Sequence, residues 1–245
     1  MPAIIVNTRH DAGRATGVAP PYGYLLMGAS IAPPGGPPLV RPSRERSLVL
    51  NRLAGHIHQI GRLEPVVRAT VYRAVLIPPG RRPSFRPDLE PPRFDVTVLI
   101  ETDSPESAGR VANSAPVVTA RNLLRESAAR LAEMQARCVR AIADVDKRTS
   151  GIYLFNFWAA ADTGAALDVW AHLAPWFQAK TGLQNSTVLQ PLADGDLAFV
   201  NHARWDTSLA SIAVHQFLRP SFYTFVRRNL AANHIHVYPA LYRRA

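Results

Sequence analysis

Apolar and polar positions change period along the chain, and the changes mark out its elements. In the C-terminal half, Gly151–Trp158 (GIYLFNFW) is a short aromatic and branched run of the kind that forms a strand. Apolar residues then recur at helical spacing through Leu167, Trp170, Leu173, Trp176 and Phe177, predicting a helix from Asp162 to Lys180 stopped by Gly182. Two strands follow, Ser186–Leu192 and Leu197–Trp205, joined by the hairpin signal Ala193-Asp194-Gly195-Asp196. Ser208–Leu230 reads as a helix broken or kinked at Pro220, and His234–Tyr242 as a last strand. The order is βαββαβ, the split-βαβ or ferredoxin-like unit.

The first half repeats the order. A strand is predicted at Tyr22–Ile31, and a helix at Ser43–Arg62 with Leu48, Leu50, Leu53, Ile57 and Ile60 as its stripe. Strands at Val66–Ile77 and Phe94–Glu101 flank a loop rich in proline and arginine. Ser104–Met134 reads as a helix interrupted near Pro116, and Val139–Val145 closes the unit. Phe94–Asp103 aligns with Ala198–Asp206, and each runs into a Ser or Thr able to cap a helix. A period this long indicates duplication. The expected fold class is therefore α+β, two ferredoxin-like βαββαβ units in tandem forming a pseudo-dimeric α+β barrel. The expected boundaries are 1–20 for a flexible N-terminal arm, 21–148 for the first unit and 149–245 for the second. A βαβββ repeat of the metal-dependent ring-cleaving type is disfavoured, because helices fall between strands one and two and between three and four of each half.

Composition narrows the function classes. Of 245 residues, 47% are hydrophobic and 19% charged, which excludes wholesale disorder. No run is long enough to span a membrane, and the N-terminus has its apolar run before its charges, the reverse of a secretory signal. A cytoplasmic location is expected. The net charge of +10 comes almost wholly from arginine, with Lys147 and Lys180 the two lysines, and most of it (+8) lies in residues 1–150. The densest basic run, Arg81 to Arg93, sits among prolines as a solvated loop and lacks the stacking aromatics of a nucleic-acid surface. The expected partners are a small molecule and O2, with neither nucleic acid nor membrane. The chain would act as a monomeric pseudo-dimer or as a homodimer. The single cysteine, Cys138, excludes an internal disulfide; beside Arg137 and Arg140 a lowered pKa is one reading and a structural helix-end thiol the other. His234 and His236 share a strand face and His202 lies on a related strand, yet no carboxylate accompanies them, so no metal is expected. His56 and His58 diverge on their helix. Dinucleotide, P-loop and nucleophile-elbow motifs are absent.

The candidate chemistry is a trio in the second unit: Asn156 on the first strand, Trp205 in Arg204-Trp205-Asp206 at the end of the third, and His215 ten residues later on a helix. Strand alternation puts Ile152, Leu154, Asn156 and Trp158 on one face and Phe199, Asn201, Ala203 and Trp205 on one face. If both faces look toward the helices, an amide, an indole and an imidazole converge in one apolar cleft suited to a flat, oxygenated ring system. The competing reading is a core tryptophan, a surface or capping histidine and a strand-end asparagine. In the first unit Met27, Thr102 and Asn113 fall at the corresponding positions, so one cleft per chain is expected.

With this trio the second unit resembles the dimeric α+β barrel superfamily, in particular the antibiotic-biosynthesis monooxygenases and their haem-degrading relatives. The resemblance implies a cofactor-independent oxygenase acting on a polycyclic aromatic polyketide (anthrone, anthraquinone or angucycline-like), O2 being activated by the deprotonated substrate. Asn156 and Trp205 would donate hydrogen bonds to the developing oxyanion, and His215 would act as base or orienter. Leu154, Trp158, Phe199, Asn201, Trp170 and Phe222 would contact the substrate. The haem-degrading relatives imply an alternative with His215 on iron, and loosely bound reduced flavin is a further cofactor alternative. A non-catalytic binding barrel is a third reading, favoured if Trp158, Trp170, Trp176 and Phe222 plug the cleft.

Overall fold

In the computed structural model, which describes residues 2–7 and 17–245, eight strands close into one antiparallel barrel. The first half contributes β1 (Gly23–Ser30), α1 (Arg44–Ile60), β2 (Val66–Leu76), β3 (Val96–Thr102), α2 (Pro105–Ala112), α3 (Ala115–Ser127) and β4 (Arg130–Ala143). The second contributes β5 (Ile152–Ala159), α4 (Thr163–Thr181), β6 (Ser186–Pro191), β7 (Phe199–Trp205), α5 (Leu209–Phe217), a π-helical turn (Phe222–Arg227), α6 (Arg228–Ala232) and β8 (His236–Arg244). Around the barrel the order is β1-β3-β2-β8-β5-β7-β6-β4. Each half is thus a four-stranded ferredoxin-like sheet, and the two sheets join along β2–β8 and β4–β6. Four strand edges that would otherwise stand open are paired by this closure.

Local chemistry sets the helix ends. Ser43, Ser104, Asp162 and Ser208 accept the backbone N–H three residues on, at the starts of α1, α2, α4 and α5. Gly182 ends α4 in the left-handed region at φ 71°, where a Cβ would be strained. One expected boundary is corrected: the helix read as far as Met134 stops at Ser127, and β4 begins at Arg130. Residues 130–138 suit either period; what decides is that Ala132, Met134, Ala136 and Cys138 alternate into the barrel lumen, so Cys138 lies on a strand. The helix read over Ser208–Leu230 breaks after Phe217, and the chain resumes past Pro220 as a wide π turn.

Two apolar layers result. The lumen is filled by Tyr24, Leu26, Tyr72, Tyr153, Phe155, Phe157, Tyr242 and their neighbours, with Tyr72 packed edge-on against Tyr153 at 5.0 Å and Phe155 at 5.1 Å. Outside it, each half buries its sheet under its own helices. Residues 2–7, part of the expected arm, are fastened. Val6 N–H donates to Asn229 Oδ1, and Ile4 exchanges two hydrogen bonds with the Asn233 side chain.

Candidate functional site

Register confirms which residues the duplication makes equivalent. Gly23 pairs with Thr102 in the first half and Ile152 with Trp205 in the second. Met27 therefore occupies the place of Asn156, Thr102 that of Trp205 and Val98 that of Asn201. In the first half the sheet–helix layer is solid, with Leu25, Met27, Val98, Leu53 and Leu124 almost inaccessible. In the second half it is hollow.

That hollow is a cavity of about 230 Å³ between β5, β7 and β8 on one side and α4, α5 and the π turn on the other. Leu154, Asn156 and Trp158 reach it from β5, Asn201 and Trp205 from β7, Trp170 from α4 and Phe222 from the π turn. Seven of the nine residues anticipated from sequence thus meet there. The tryptophans and Phe222 wall the space without plugging it, and Trp176 lies behind, donating its indole N–H to Ser221.

The other two do not reach it. Phe199 is fully buried beneath Trp158, ring on ring at 4.8 Å, and so braces a wall residue. His215 is exposed on the outer side of α5, in an open groove with Asp206, Ser211 and Arg219; Arg219 Nε donates to its carbonyl oxygen at 2.9 Å. The reason is helical phase. Leu209, Ile212, Ala213 and Gln216 form the stripe i, i+3, i+4, i+7 that faces the cavity, which puts Gln216 inside and turns His215 about 100° away. Trp205 is in place, but its indole N–H is already committed to Thr181 Oγ1 at 3.2 Å, tying β7 to the end of α4.

The polar groups that remain are few. Ser186 Oγ donates to Asn201 Oδ1 at 2.5 Å, a buried pair that sequence reasoning missed for want of any local signal on β6. Asn156 Oδ1 and Trp158 Nε1 are buried with no hydrogen-bond partner. They belong to residues i and i+2 of one strand, so both face the hollow, one as acceptor and one as donor. Among the described residues the lining includes no Asp, Glu, Lys, Arg or His. Any charge that develops inside would meet only amide, hydroxyl and indole dipoles in an apolar wall.

Titratable groups lie behind this layer. His202, on the lumen face of β7, has its Nδ1 3.0 Å from the Leu154 carbonyl and Nε2 unpartnered, and burial holds its pKa well below the usual imidazole value. His236 is stacked edge-on against Phe85, and burial lowers its pKa also. Among the described residues no three His, Cys, Asp or Glu side chains gather as metal ligands. Of the two readings of Cys138 the lowered pKa is the one that fails: burial pushes the thiol up to about 11, outweighing the backbone hydrogen bonds and Lys147 that act the other way.

No family model matches the sequence, and no curated protein matches it. Solved structures do match, across nearly the whole chain. An anthrone oxidase-like protein superposes with a TM-score of 0.65 at 12% identity, covering 94% of each chain. A candidate monooxygenase of Fusobacterium nucleatum gives 0.56 at 7% identity over 92% of this chain and 93% of that one. Another from Lactobacillus acidophilus gives 0.51 at 8% identity over 90% and 93%. This chain has the dimeric α+β barrel fold. It builds that barrel from two four-stranded units of a single polypeptide. At these identities the likeness is one of fold, and the chemistry has to be argued from the cavity.

Proposed function

We propose that the protein is an oxygenase whose substrate is a flat, apolar, oxygenated aromatic compound bound in the second-unit cavity, and that its substrates belong to the anthrone and anthraquinone class of polyketides. One observation carries the reading: Asn156 Oδ1 and Trp158 Nε1 stand unpaired on a wall made mostly of aromatic and aliphatic side chains. Leaving a buried polar atom unmade costs about 1–3 kcal/mol, so such a pair is most simply accounted for by a ligand that supplies a donor and an acceptor. A ring hydroxyl facing Asn156 Oδ1 and a ring carbonyl facing Trp158 Nε1 satisfy both.

Size sets a condition. An apolar cavity of about 150 Å³ takes up one benzene. At about 230 Å³ the space as it stands suits one or two rings, and a three-ring substrate requires α5 to move outward. The chain's own residues then do three things. Trp158, Trp170, Phe177 and Phe222 hold the ring system still; closure of α5 excludes water; and the Trp158 N–H stabilises negative charge on a carbonyl oxygen as the substrate ionises. The electrons for O2 come from the ionised substrate in this reading. The haem alternative does not fit this cavity, since among the described residues its lining holds no His, Cys, Tyr or Met to serve as axial ligand, and His215 points away.

Oxygen uptake against a panel of anthrones, naphthols and quinones tests the proposal. Trp158→Phe keeps an aromatic side chain and removes the donor, and should lower kcat/KM at least about tenfold on a carbonyl-bearing substrate. Wild-type uptake no faster than in buffer across the panel, or an unaffected Trp158→Phe, would overturn it.

A further inference from the structure

Helix α5 is apolar on two sides. Its inner stripe of Leu209, Ile212 and Ala213 walls the cavity, while Val214, Phe217 and Leu218, again at i, i+3 and i+4, face solvent at 51%, 47% and 74% exposure. Tyr223, on the π turn that follows, is 45% exposed. A helix on the surface of a soluble domain normally turns polar residues outward. The same segment is basic. Arg227 and Arg228 are exposed, with the Arg227 guanidinium 5.9 Å from the Tyr223 ring, and Arg219 lies between the two apolar groups in sequence. From Thr207 to Ala245 the sequence contains no Asp or Glu. The preceding acid, Asp206, is held by Arg204 at 2.6 Å.

We propose that α5 and the π turn form a peripheral docking face for an anionic lipid bilayer. Leu218, Val214, Phe217 and Tyr223 enter the headgroup boundary, and Arg219, Arg227 and Arg228 contact lipid phosphates. Exposed aromatic and aliphatic side chains ringed by arginine, without a spanning segment, are the features of an interfacial helix. The charge favours a membrane over a second copy of the chain, because a symmetric pairing of this face sets arginine against arginine, and Asp206, the carboxylate in the groove with Arg219, is already engaged by Arg204. The absence of a spanning helix, which underlay the expectation of no membrane partner, leaves surface docking open. Phe217 belongs to both surfaces, lining the cavity and standing half exposed. Its displacement by lipid would open the cavity toward the bilayer, where an apolar aromatic substrate concentrates. That last step rests on the proposed function; the docking does not.

Vesicle flotation tests it with the intact protein. Vesicles containing phosphatidylglycerol should bind at low salt, and pure phosphatidylcholine vesicles at least about tenfold more weakly. Arg227→Ala/Arg228→Ala should weaken binding about 25-fold, at roughly fivefold per arginine. Val214→Ser/Leu218→Ser should abolish it, and Leu192→Ser, which alters an exposed apolar residue elsewhere, should leave it unchanged. Equal binding by all variants, or none to anionic vesicles, overturns the proposal. So does wild-type self-association that Val214→Ser/Leu218→Ser abolishes, which would assign the face to a second copy. Binding is read without turnover, so a protein inactive on every aromatic tested can still pass or fail.

Discussion

Lys147 offers the most exacting test of how the two halves are joined. It lies on the connection between β4 and β5, yet its side chain is 1% exposed and reaches Glu101 of β3 at 2.7 Å, with Asp144 at 3.2 Å. Glu101 is itself 4% exposed, and burial raises its pKa above the usual carboxylate value despite the lysine beside it. Replacing Lys147 by Met keeps the length and removes the charge, leaving a carboxylate buried against Tyr24 and Tyr72. Breaking a buried pair from one side costs about 3–5 kcal/mol. In a chain of this size each kcal/mol lowers Tm by roughly 2–4 °C, so Lys147→Met should melt about 6–20 °C below wild type at pH 8.

The pH dependence identifies the cause. A carboxyl whose folded pKa is raised contributes stability below its unfolded pKa and loses it as pH rises through the folded value. In Lys147→Met the folded value rises further, so the deficit should shrink toward pH 4–5, where Glu101 takes up a proton at little cost. The double variant Glu101→Gln/Lys147→Met, which leaves unpaired only Asp144, a half-exposed carboxylate that water can solvate, should recover most of the loss at pH 8. Thermal melts followed by circular dichroism at the two pH values decide the matter. A single-variant loss under about 1 kcal/mol, or a double variant no better than the single, would refute the reasoning.

Three further outcomes follow from the site and the lumen. His215→Ala should leave oxygen uptake within about twofold, whereas Gln216→Glu, which puts a charge into the apolar wall, should reduce it at least about tenfold; the reverse order would restore His215 to the site. Cys138, its pKa raised to about 11 by burial, should alkylate with iodoacetamide far more slowly at pH 8 than a free thiol and accelerate only above pH 10; rapid labelling at pH 8 in the folded protein would contradict its placement. Because burial depresses the pKa of His202, the unfolded chain binds its proton first, so this residue makes stability fall as pH drops below about 6.5. His202→Phe should flatten that limb in urea titrations between pH 5 and 7.

Much of this architecture is legible in the residues. Strand faces read directly, because a period of two leaves only one choice once a single position is assigned; Asn156, Trp158, Asn201 and Trp205 all face the helices for that reason. Helical phase is harder. Ser208 marks the start of α5, but which stripe of an all-round apolar helix docks inward depends on the sheet it meets, and the difference between His215 and Gln216 is one step of rotation. The boundary at Ser127 escaped because Ala132, Met134, Ala136 and Cys138 suit a helix locally and are drawn into a strand by the lumen. The partners that matter most, Thr181 for the Trp205 N–H and Ser186 for Asn201, lie far along the chain on other elements, with no local pattern to announce them.

The duplication explains why one half is solid and the other hollow. At equivalent strand positions the first half carries Met27 and Val98, whose aliphatic side chains fill the layer beneath α1, α2 and α3. The second carries Asn156 and Asn201, side by side in register. Two amides with buried oxygens cannot be covered by apolar packing without loss of those hydrogen bonds, at about 1–3 kcal/mol each. Ser186 satisfies one carbonyl oxygen; among the described residues no group satisfies the other, and the helices stand off around it. The Trp205–Thr181 bond holds α4 at that distance, and the Trp176–Ser221 bond ties the π turn to α4. The first half, with no amide to accommodate, collapses to native packing density and serves to close the barrel. The unmatched oxygen of Asn156 is therefore a cost that a bound molecule would relieve, and it is the reason the proposed function is assigned to the second half.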